Sequence, residues 1–263
     1  MSKLSALYLG LVFFVVGCAS TSEQDKTLGW SPNRIYQEAR DEQAAGNNDK
    51  AAQLYEKLEG RAAGTPLAQQ AMLDAAYMRY KTREPAYANS ILERFMRTHP
   101  TSPAMDYALY LKGLVNFNDE SGFFGFLNAQ DLSERDQKAA KDAFETFREL
   151  VTRFPDSKYA KDAQQRMAYI VNALAQYEVN VARYYLKRGA YLAAVSRAQE
   201  ALTDYPQSPA LEEALAVLVQ AYDAMGLTQL RDDNKRVLQS NFPQSRYLKD
   251  GIQESVKSWW KLW

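Results

Sequence analysis

The chain is poor in the residues that build covalent cross-links and metal centres, because its 263 residues include one cysteine and one histidine. A single cysteine excludes an internal disulfide, and the two residues together cannot supply the four ligands of a thiolate or thiolate–imidazole zinc site. Net charge is absent too, since 32 basic residues balance 32 acidic ones. Without a basic field, nucleic acid is not expected as a partner. The composition that remains, 46% hydrophobic and 24% charged, is that of a folded globular protein.

The N-terminal apolar stretch is too short to span a bilayer. Residues 4–17 (LSALYLGLVFFVVG) carry no charge after Lys3, whereas a spanning helix needs about 20 apolar residues. A basic start, a short apolar run and a small residue at its end are typical of a secretory signal peptide. The sequence therefore predicts that residues 1–17 form a signal peptide.

The lone cysteine, Cys18, follows this segment directly. The preceding Val15, Val16 and Gly17 resemble a bacterial lipobox, in which the cysteine thiol accepts diacylglycerol and the new N-terminus is acylated. The alternative is an ordinary signal peptide with an incidental cysteine. If the lipobox holds, the mature chain has 31 basic and 32 acidic residues, and residues 18–30 are a lipidated N-terminus and tether. Residue 19 is Ala rather than Asp, which favours the periplasmic face of the outer membrane of a Gram-negative bacterium.

Prolines divide the rest of the chain into helices. A capping hydroxyl precedes a proline at residues 31–32, 65–66, 102–103 and 208–209, and such pairs begin helices. Prolines at residues 100, 155, 206 and 243 end helical runs, because proline cannot continue a helix. Pro85 lies outside this scheme and is assigned to an inter-helix turn. No segment needs a strand, since none sustains period-2 alternation between turn signals.

The spacing of the helix starts indicates a repeat. The first three starts, at residues 31, 65 and 102, are 34 and 37 residues apart, close to the period of the tetratricopeptide repeat with its two antiparallel helices. Gly46, Gly189 and Gly226 fall where the two helices of a unit would turn. Arg231 replaces the small residue of the last hairpin, which predicts a distortion there. The predicted fold is all-α, a right-handed α-solenoid of about five tetratricopeptide-like helical hairpins with a C-terminal capping helix.

Two repeat units are longer than the others. In the third unit a loop over residues 117–138 separates the helices, and its Phe123 and Phe124 either dock a partner or fold back as a hydrophobic plug. In the fourth unit the excess is helical, since residues 158–188 lack Gly and Pro. This long helix would join an N-terminal half, residues 31–156, to a C-terminal half, residues 157–263.

Three local stretches, together with the lipobox and the hairpins, resemble the ComL family of outer-membrane assembly lipoproteins over essentially the whole chain. The stretches are Ala88-Asn89…Arg94-Phe95…His99-Pro100…Pro103…Asp106-Tyr107…Tyr110…Gly113-Leu114; the Phe-Phe-Gly loop with Asp131, Ser133, Arg135 and Asp136; and Tyr184-Tyr185…Arg188-Gly189-Ala190…Ala194-Val195…Arg197 through Tyr205-Pro206. The resemblance implies a component of the machinery that inserts β-barrel proteins into the outer membrane. It also implies three kinds of partner: a BamA-type barrel subunit bound through its periplasmic domain, other small lipoproteins of the complex, and unfolded outer-membrane proteins.

The sequence carries no signature of catalysis. Phosphate-binding, dinucleotide-binding, nucleophile-elbow and zinc-protease motifs are all missing. His99 precedes a helix-stopping proline, where a capping or packing role is preferred to a catalytic one. We therefore expect a protein that is not an enzyme and that needs no cofactor or metal.

Binding is expected on the first helices of successive hairpins, which line the inner groove of such repeats. Aligned positions on the first two units share a helical stripe: Asn33, Tyr36, Arg40, Gln43, Gln70, Leu73, Tyr77, Tyr80 and Lys81. Their aromatic and cationic side chains would suit a peptide ending in an aromatic residue and a carboxylate, with Arg40 or Lys81 on the carboxylate. The alternative is that the tyrosines pack between hairpins.

The C-terminal half offers a second candidate surface. Arg188 and Arg197 flank the Gly189 turn and could reach carboxylates of the barrel subunit, or they could form surface salt bridges with Glu200 or Asp204. The tryptophan-rich end, with Trp259, Trp260 and Trp263, either seals the last hairpin or touches lipid or a partner. At the level of function, the alternative to barrel assembly is a repeat lipoprotein adaptor in cell division or polysaccharide export.

Overall fold

The computed structural model describes residues 25–117 and 137–252 of the chain. In this part every regular element is a helix. In chain order the helices are α1 Pro32–Ala44, α2 Asn48–Arg61, α3 Pro66–Lys81, α4 Pro85–Thr98, α5 Met105–Phe117, α6 Gln137–Arg153, α7 Ala160–Lys187, α8 Tyr191–Asp204, α9 Leu211–Ala224, α10 Thr228–Asn241 and α11 Tyr247–Asp250. The expected all-helical fold is confirmed.

Successive helices pack as antiparallel hairpins, and each hairpin packs on the next. α3 also contacts α5, α7 contacts α9, and Tyr110 of α5 bonds Asp162 of α7, so first helices of neighbouring hairpins lie on one face of the stack. This is the arrangement expected where the first helix of each hairpin lines the inner surface. The inner face of the described stack is therefore built from α1, α3, α5, α7 and α9.

Capping side chains explain where the first hairpins begin. The Ser31 hydroxyl accepts a hydrogen bond from the Arg34 amide, and the Thr65 hydroxyl accepts one from the Ala68 amide. Each precedes a proline at the first position of its helix. Ser102 and Ser208 instead cap a turn just before α5 and α9. Pro85, which the sequence assigned to a turn, is the first residue of α4.

The long helix predicted over residues 158–188 is confirmed as α7, whose 28 residues span about 42 Å at 1.5 Å per residue. Its N-terminal part, up to the middle of the helix, contributes Ile170 and Leu174 to the core shared with α5 and α6. Its second half contributes Val179 and Ala182 to the core shared with α8 and α9. One continuous helix thus belongs to the cores of both halves and fixes them to each other.

The turns between paired helices require a left-handed backbone conformation. Gly46, Gly189 and Gly226 adopt it with φ of +82°, +73° and +72°, as expected for residues without a Cβ. In the second hairpin the same conformation falls on Arg83, with φ of +62°. A non-glycine residue there is strained by its Cβ.

The expected distortion of the last hairpin is wrong. α10 is a regular helix packed against α9, and Arg231 is accommodated because it lies at the helix surface rather than in the contact. Its Nη1 bonds the Asp223 carboxylate of α9 at 2.9 Å. The large side chain therefore bridges the two helices from outside.

Several predicted features fall outside residues 25–117 and 137–252. They are Cys18, the loop residues Phe123 and Phe124, and Trp259, Trp260 and Trp263. In the part of the chain that the structure describes, no helix combines the length and apolarity that crossing a bilayer demands.

Candidate peptide-binding groove

The structure places the predicted groove residues on two neighbouring helices of the inner face, α1 and α3. On α1, the exposed Arg40 lies one turn after Tyr36 and in hydrogen-bonding contact with it. On α3, the rings of Tyr77 and Tyr80 have centroids 6.4 Å apart, and the neighbouring Lys81 is exposed. Each helix therefore presents aromatic rings with a cation beside them.

The tyrosines also pack on the core, so both sequence-based interpretations describe part of their role. Tyr36, Tyr77 and Tyr80 are half-buried against the first hydrophobic cluster. The Tyr36 ring lies 5.8 Å from that of the fully buried Tyr55. One side of each ring is thus fixed by packing while the remaining surface faces solvent, which holds the rings in place before any ligand arrives.

The assignment of Leu73 to the groove is wrong. Leu73 is 2% exposed and belongs to the first hydrophobic core, because the helical stripe that meets Arg40 passes through the next residue, Asp74. The Asp74 carboxylate accepts a hydrogen bond from Gln70 Nε2 at 3.0 Å. Asp74 was not among the predicted groove residues, although its 3–4-residue spacing to Gln70 and Tyr77 would have indicated it.

Burial raises the pKa of Asp74 above its usual range, while hydrogen bonds from Gln70 and Tyr36 and the charge of Arg40 oppose the rise. The same carboxylate raises the pKa of Tyr55 and Tyr107, although burial is the larger cause for both phenols. Asp74 therefore lies where α1, α2, α3 and α5 meet. It gives the groove an anionic centre next to the Arg40 cation.

The raised pKa of Asp74 predicts a pH dependence of stability. A carboxyl whose folded pKa exceeds its unfolded value favours folding at low pH, and that contribution is lost as the pH rises through the folded pKa. We therefore expect Asp74→Asn to be more stable than the parent protein at pH 7, with the gap closing as the pH falls below the usual carboxyl range. Urea unfolding at a series of pH values measures the difference in free energy of unfolding between the two proteins. A gap independent of pH would contradict the assignment.

A second aromatic cluster extends the inner face across α5 and the start of α7. The rings of Tyr110 and Tyr159 stack with centroids 4.7 Å apart. The Tyr110 hydroxyl donates to Asp162 Oδ2 at 2.8 Å, and Arg166 Nε donates to the same oxygen at 2.6 Å. Burial, with this bond to Asp162, raises the pKa of Tyr110 to about 12. The groove therefore continues beyond the first two units.

The residues of this second cluster were not among the predicted groove residues. They come from α5, in the enlarged third unit, and from the start of α7 with the turn before it, and the loop and α6 separate the two in the chain. Applying the same 3–4-residue spacing to α5 would have identified Tyr107 and Tyr110 as inner-face residues. Tyr159 lies on the turn before α7, where no helical period applies. Only the fold brings it to Tyr110.

The two arginines proposed for docking in the C-terminal half have different surroundings. Arg188 is exposed at the end of α7, with its guanidinium carbon 5.2 Å from the centre of the Tyr184 ring. Arg197 on α8 bonds Glu178 Oε2 at 3.0 Å and Glu200 Oε2 at 3.2 Å. Since the Glu178 side chain is only 7% exposed, Arg197 neutralises a nearly buried charge. The pairing with Glu200 was foreseen, whereas the one with Glu178 was not.

The lone histidine packs against an aromatic ring. The His99 ring lies 5.4 Å from that of Phe95, at the end of α4, which agrees with the expected packing role. Across residues 25–117 and 137–252, no three His, Cys, Asp or Glu residues are grouped so as to hold a metal ion.

A stack of helical hairpins of this kind defines the class of helical-repeat scaffold proteins. Comparison with known protein families identifies the family to which this scaffold belongs. Residues 30–238 match the YfiO family, described as "Outer membrane lipoprotein", and the chain belongs to it.

Individual relatives agree with this assignment. The chain is 45% identical to outer membrane protein assembly factor BamD of Neisseria meningitidis serogroup A, over 99% of this chain and 98% of the relative. It is 36% identical to the protein of that name from Xylella fastidiosa strain Temecula1, over 94% and 84%. Among solved structures, a Podospora anserina putative kinesin light chain with tetratricopeptide-like repeats covers 81% of this chain and 98% of its own, at 16% identity and a TM-score of 0.35.

Proposed function

We propose that this protein is an outer-membrane lipoprotein of the β-barrel assembly machinery and serves there as a non-enzymatic scaffold. The observation that carries the proposal is the 45% identity, over nearly the whole of both chains, to a relative named as an outer membrane protein assembly factor. The lipobox at Cys18 supplies the attachment to the periplasmic face of the outer membrane. Acylation at two points gives enough chains for stable anchoring.

The inner groove binds the C-terminal segments of unfolded barrel proteins. Rings of Tyr36, Tyr77 and Tyr80 are held by the core and provide area for an aromatic side chain. Arg40 or Lys81 meets the terminal carboxylate, since both cations are exposed beside the rings. Asp74 repels a carboxylate from the middle of the groove, which favours binding of that group at either edge.

The C-terminal half docks the periplasmic domain of a BamA-type barrel subunit. Arg188 and Tyr184 form an exposed cation–aromatic pair at the turn that Gly189 closes. Arginine on such a surface can bond a partner carboxylate through two parallel N–H groups. Arg197 lies on the next helix and supports the surface through Glu178. Other small lipoproteins of the complex bind elsewhere on the scaffold, and the Phe123 and Phe124 loop is a candidate.

Depletion of the protein in cells tests the general function. We expect unfolded barrel precursors to accumulate, and a crosslinked pull-down from membranes to recover a large β-barrel protein. Normal barrel levels accompanied by disturbed septation or capsule export would overturn the proposal. They would favour the adaptor function instead.

A peptide copied from the C-terminus of a barrel protein tests the groove. Arg40→Ala combined with Lys81→Ala should weaken binding of the peptide with a free carboxylate about tenfold, because a hydrogen bond to a charged group contributes about 1.4 kcal/mol or more. Binding of the same peptide with an amidated C-terminus should change little. Fluorescence anisotropy measures both affinities.

The aromatic contribution needs a control, because the groove tyrosines also support the core. Tyr77→Ala with Tyr80→Ala should weaken both peptides, whereas Tyr87→Ala, which removes a 58% exposed ring from α4, should leave both affinities unchanged. Thermal unfolding of each variant confirms that the fold is intact. Unchanged peptide affinity in a folded Tyr77→Ala, Tyr80→Ala protein would rule out the groove as the binding site.

A further inference from the structure

The segment before α1, which the sequence treats as a loose tether up to residue 30, is fixed to the first hairpin from Asp25 onward. Asp25 Oδ1 bonds Lys57 Nζ at 2.9 Å, and Asp25 Oδ2 bonds Arg61 Nη2 at 2.7 Å. Arg61 also donates to the Thr27 carbonyl. We name this set of bonds between Asp25, Thr27 and helix α2 the Asp25 clasp.

The clasp also orders the backbone around it. The Thr27 hydroxyl and amide donate to Asp25 Oδ1 at 2.7 and 3.1 Å, and Thr27 itself is 3% exposed. Two consecutive turns follow, in which the Leu28 amide bonds the Asp25 carbonyl and the Trp30 amide bonds the Thr27 carbonyl. Bonds to Lys57 and to Thr27 hold the pKa of Asp25 well below its usual range, so the carboxylate stays charged at neutral pH.

The turn places an apolar side chain in solvent at its outer edge. Leu28 is 73% exposed, whereas Trp30 beside it packs against the first core under the guanidinium of Arg34. Lys26 is exposed two residues before Leu28, and Lys57 is bonded to Asp25 of the same turn. An exposed leucine flanked by cations is the composition of a segment that enters the headgroup layer of a membrane.

Chain length limits how far this turn can lie from the membrane. Asp25 is seven positions after Cys18, so a fully extended chain spans at most about 25 Å between them. Without the clasp the first residue held to the hairpin would be Trp30, which packs on the first core, and the limit would be about 43 Å. The clasp therefore shortens the maximum reach of the anchor by about 40%.

We infer that the turn formed by residues 25–30 is a membrane-contact element: Leu28 enters the lipid headgroup layer, and the Asp25 clasp holds the first hairpin against that layer. The inference rests on the proposed acylation of Cys18. Its occupant is the lipid surface, because the acylated Cys18 would lie in the membrane and the chain from Cys18 to Asp25 spans at most about 25 Å.

The test uses the lipidated protein on vesicles of phosphatidylethanolamine and phosphatidylglycerol that contain a headgroup-attached quencher. An environment-sensitive fluorophore is attached to Leu28→Cys, and in a matched protein to Leu192→Cys, whose parent residue is 76% exposed on α8. Cys18 does not compete for the label, since its thiol is acylated. We expect quenching of the Leu28 label to exceed that of the Leu192 label at least about twofold.

A second measurement isolates the clasp. With a donor on Ala63→Cys, an exposed site just after α2, energy transfer to headgroup acceptors should fall in Asp25→Ala. It should stay unchanged in Asp41→Ala, which removes an equivalent charge from the exposed face of α1.

The outcomes separate the inference from the proposed function. If the parent protein did not float with vesicles, both the acylation of Cys18 and this inference would be overturned. Normal flotation with equal quenching at Leu28 and Leu192, or with transfer unaffected by Asp25→Ala, would overturn the inference alone. A Cys18→Ser protein, which should not float, provides the baseline for both measurements.

Discussion

Replacing Gly113 with alanine should destabilise the protein by about 2 kcal/mol, because overpacking a dense core typically costs 1–3 kcal/mol. Gly113 lies in α5 where that helix crosses α6. A Cβ at this position would come within 2.3 Å of Cε1 of Phe147, far inside van der Waals contact. Phe147 is fully buried, so its ring has no free space into which to move. Either the helices separate or the ring leaves its rotamer.

Gly60 in α2 provides the matched control. A Cβ there would meet no atom within 4 Å, so Gly60→Ala should be neutral or stabilise by about 0.5 kcal/mol through helix propensity. Urea unfolding of both variants measures the difference. If Gly113→Ala proved as stable as Gly60→Ala, the close crossing of α5 and α6 would be incorrect. Because α6 packs on α7, loosening this crossing should also weaken the junction between the two halves.

Local signals in the sequence were sufficient for the repeat architecture. The capping hydroxyl and proline at residues 31–32 and 65–66 begin helices as predicted, and glycines close three of the turns. The long α7 follows from a run without Gly or Pro. Each of these features depends on residues adjacent in the chain, where propensity and periodicity act directly.

Residues that depend on tertiary packing were predicted less well. Leu73 and Asp74 differ by 100° around one helix, and only the packing of α3 on its neighbours decides which of them faces the groove. Arg83 adopts a left-handed turn conformation, which an arginine residue does not predict because non-glycine residues rarely adopt it. The bonds of Asp25 to Lys57 and Arg61 join residues more than 30 positions apart. Nothing in the spacing of such residues indicates that they meet.

Replacing Arg197 with methionine should destabilise the protein by about 1–2 kcal/mol, because it leaves the Glu178 carboxylate nearly buried and without its cation. Methionine retains the aliphatic part of the arginine side chain, so the loss reports the charge. The estimate lies below the 3–5 kcal/mol typical of a fully buried pair, since the Arg197 side chain is 40% exposed and solvent screens it. Thermal or urea unfolding measures the change.

Two further variants separate packing from docking. Arg188→Met should leave stability within about 0.5 kcal/mol of the parent, because exposed surface residues contribute little, yet it should reduce binding of the barrel subunit's periplasmic domain. Glu178→Met combined with Arg197→Met should recover most of the stability lost in Arg197→Met, as apolar replacements of buried ion pairs often do. If this double variant regains stability but not binding, Arg197 contacts the partner directly. If it regains both, Arg197 acts by neutralising Glu178, and Arg188 remains the docking residue.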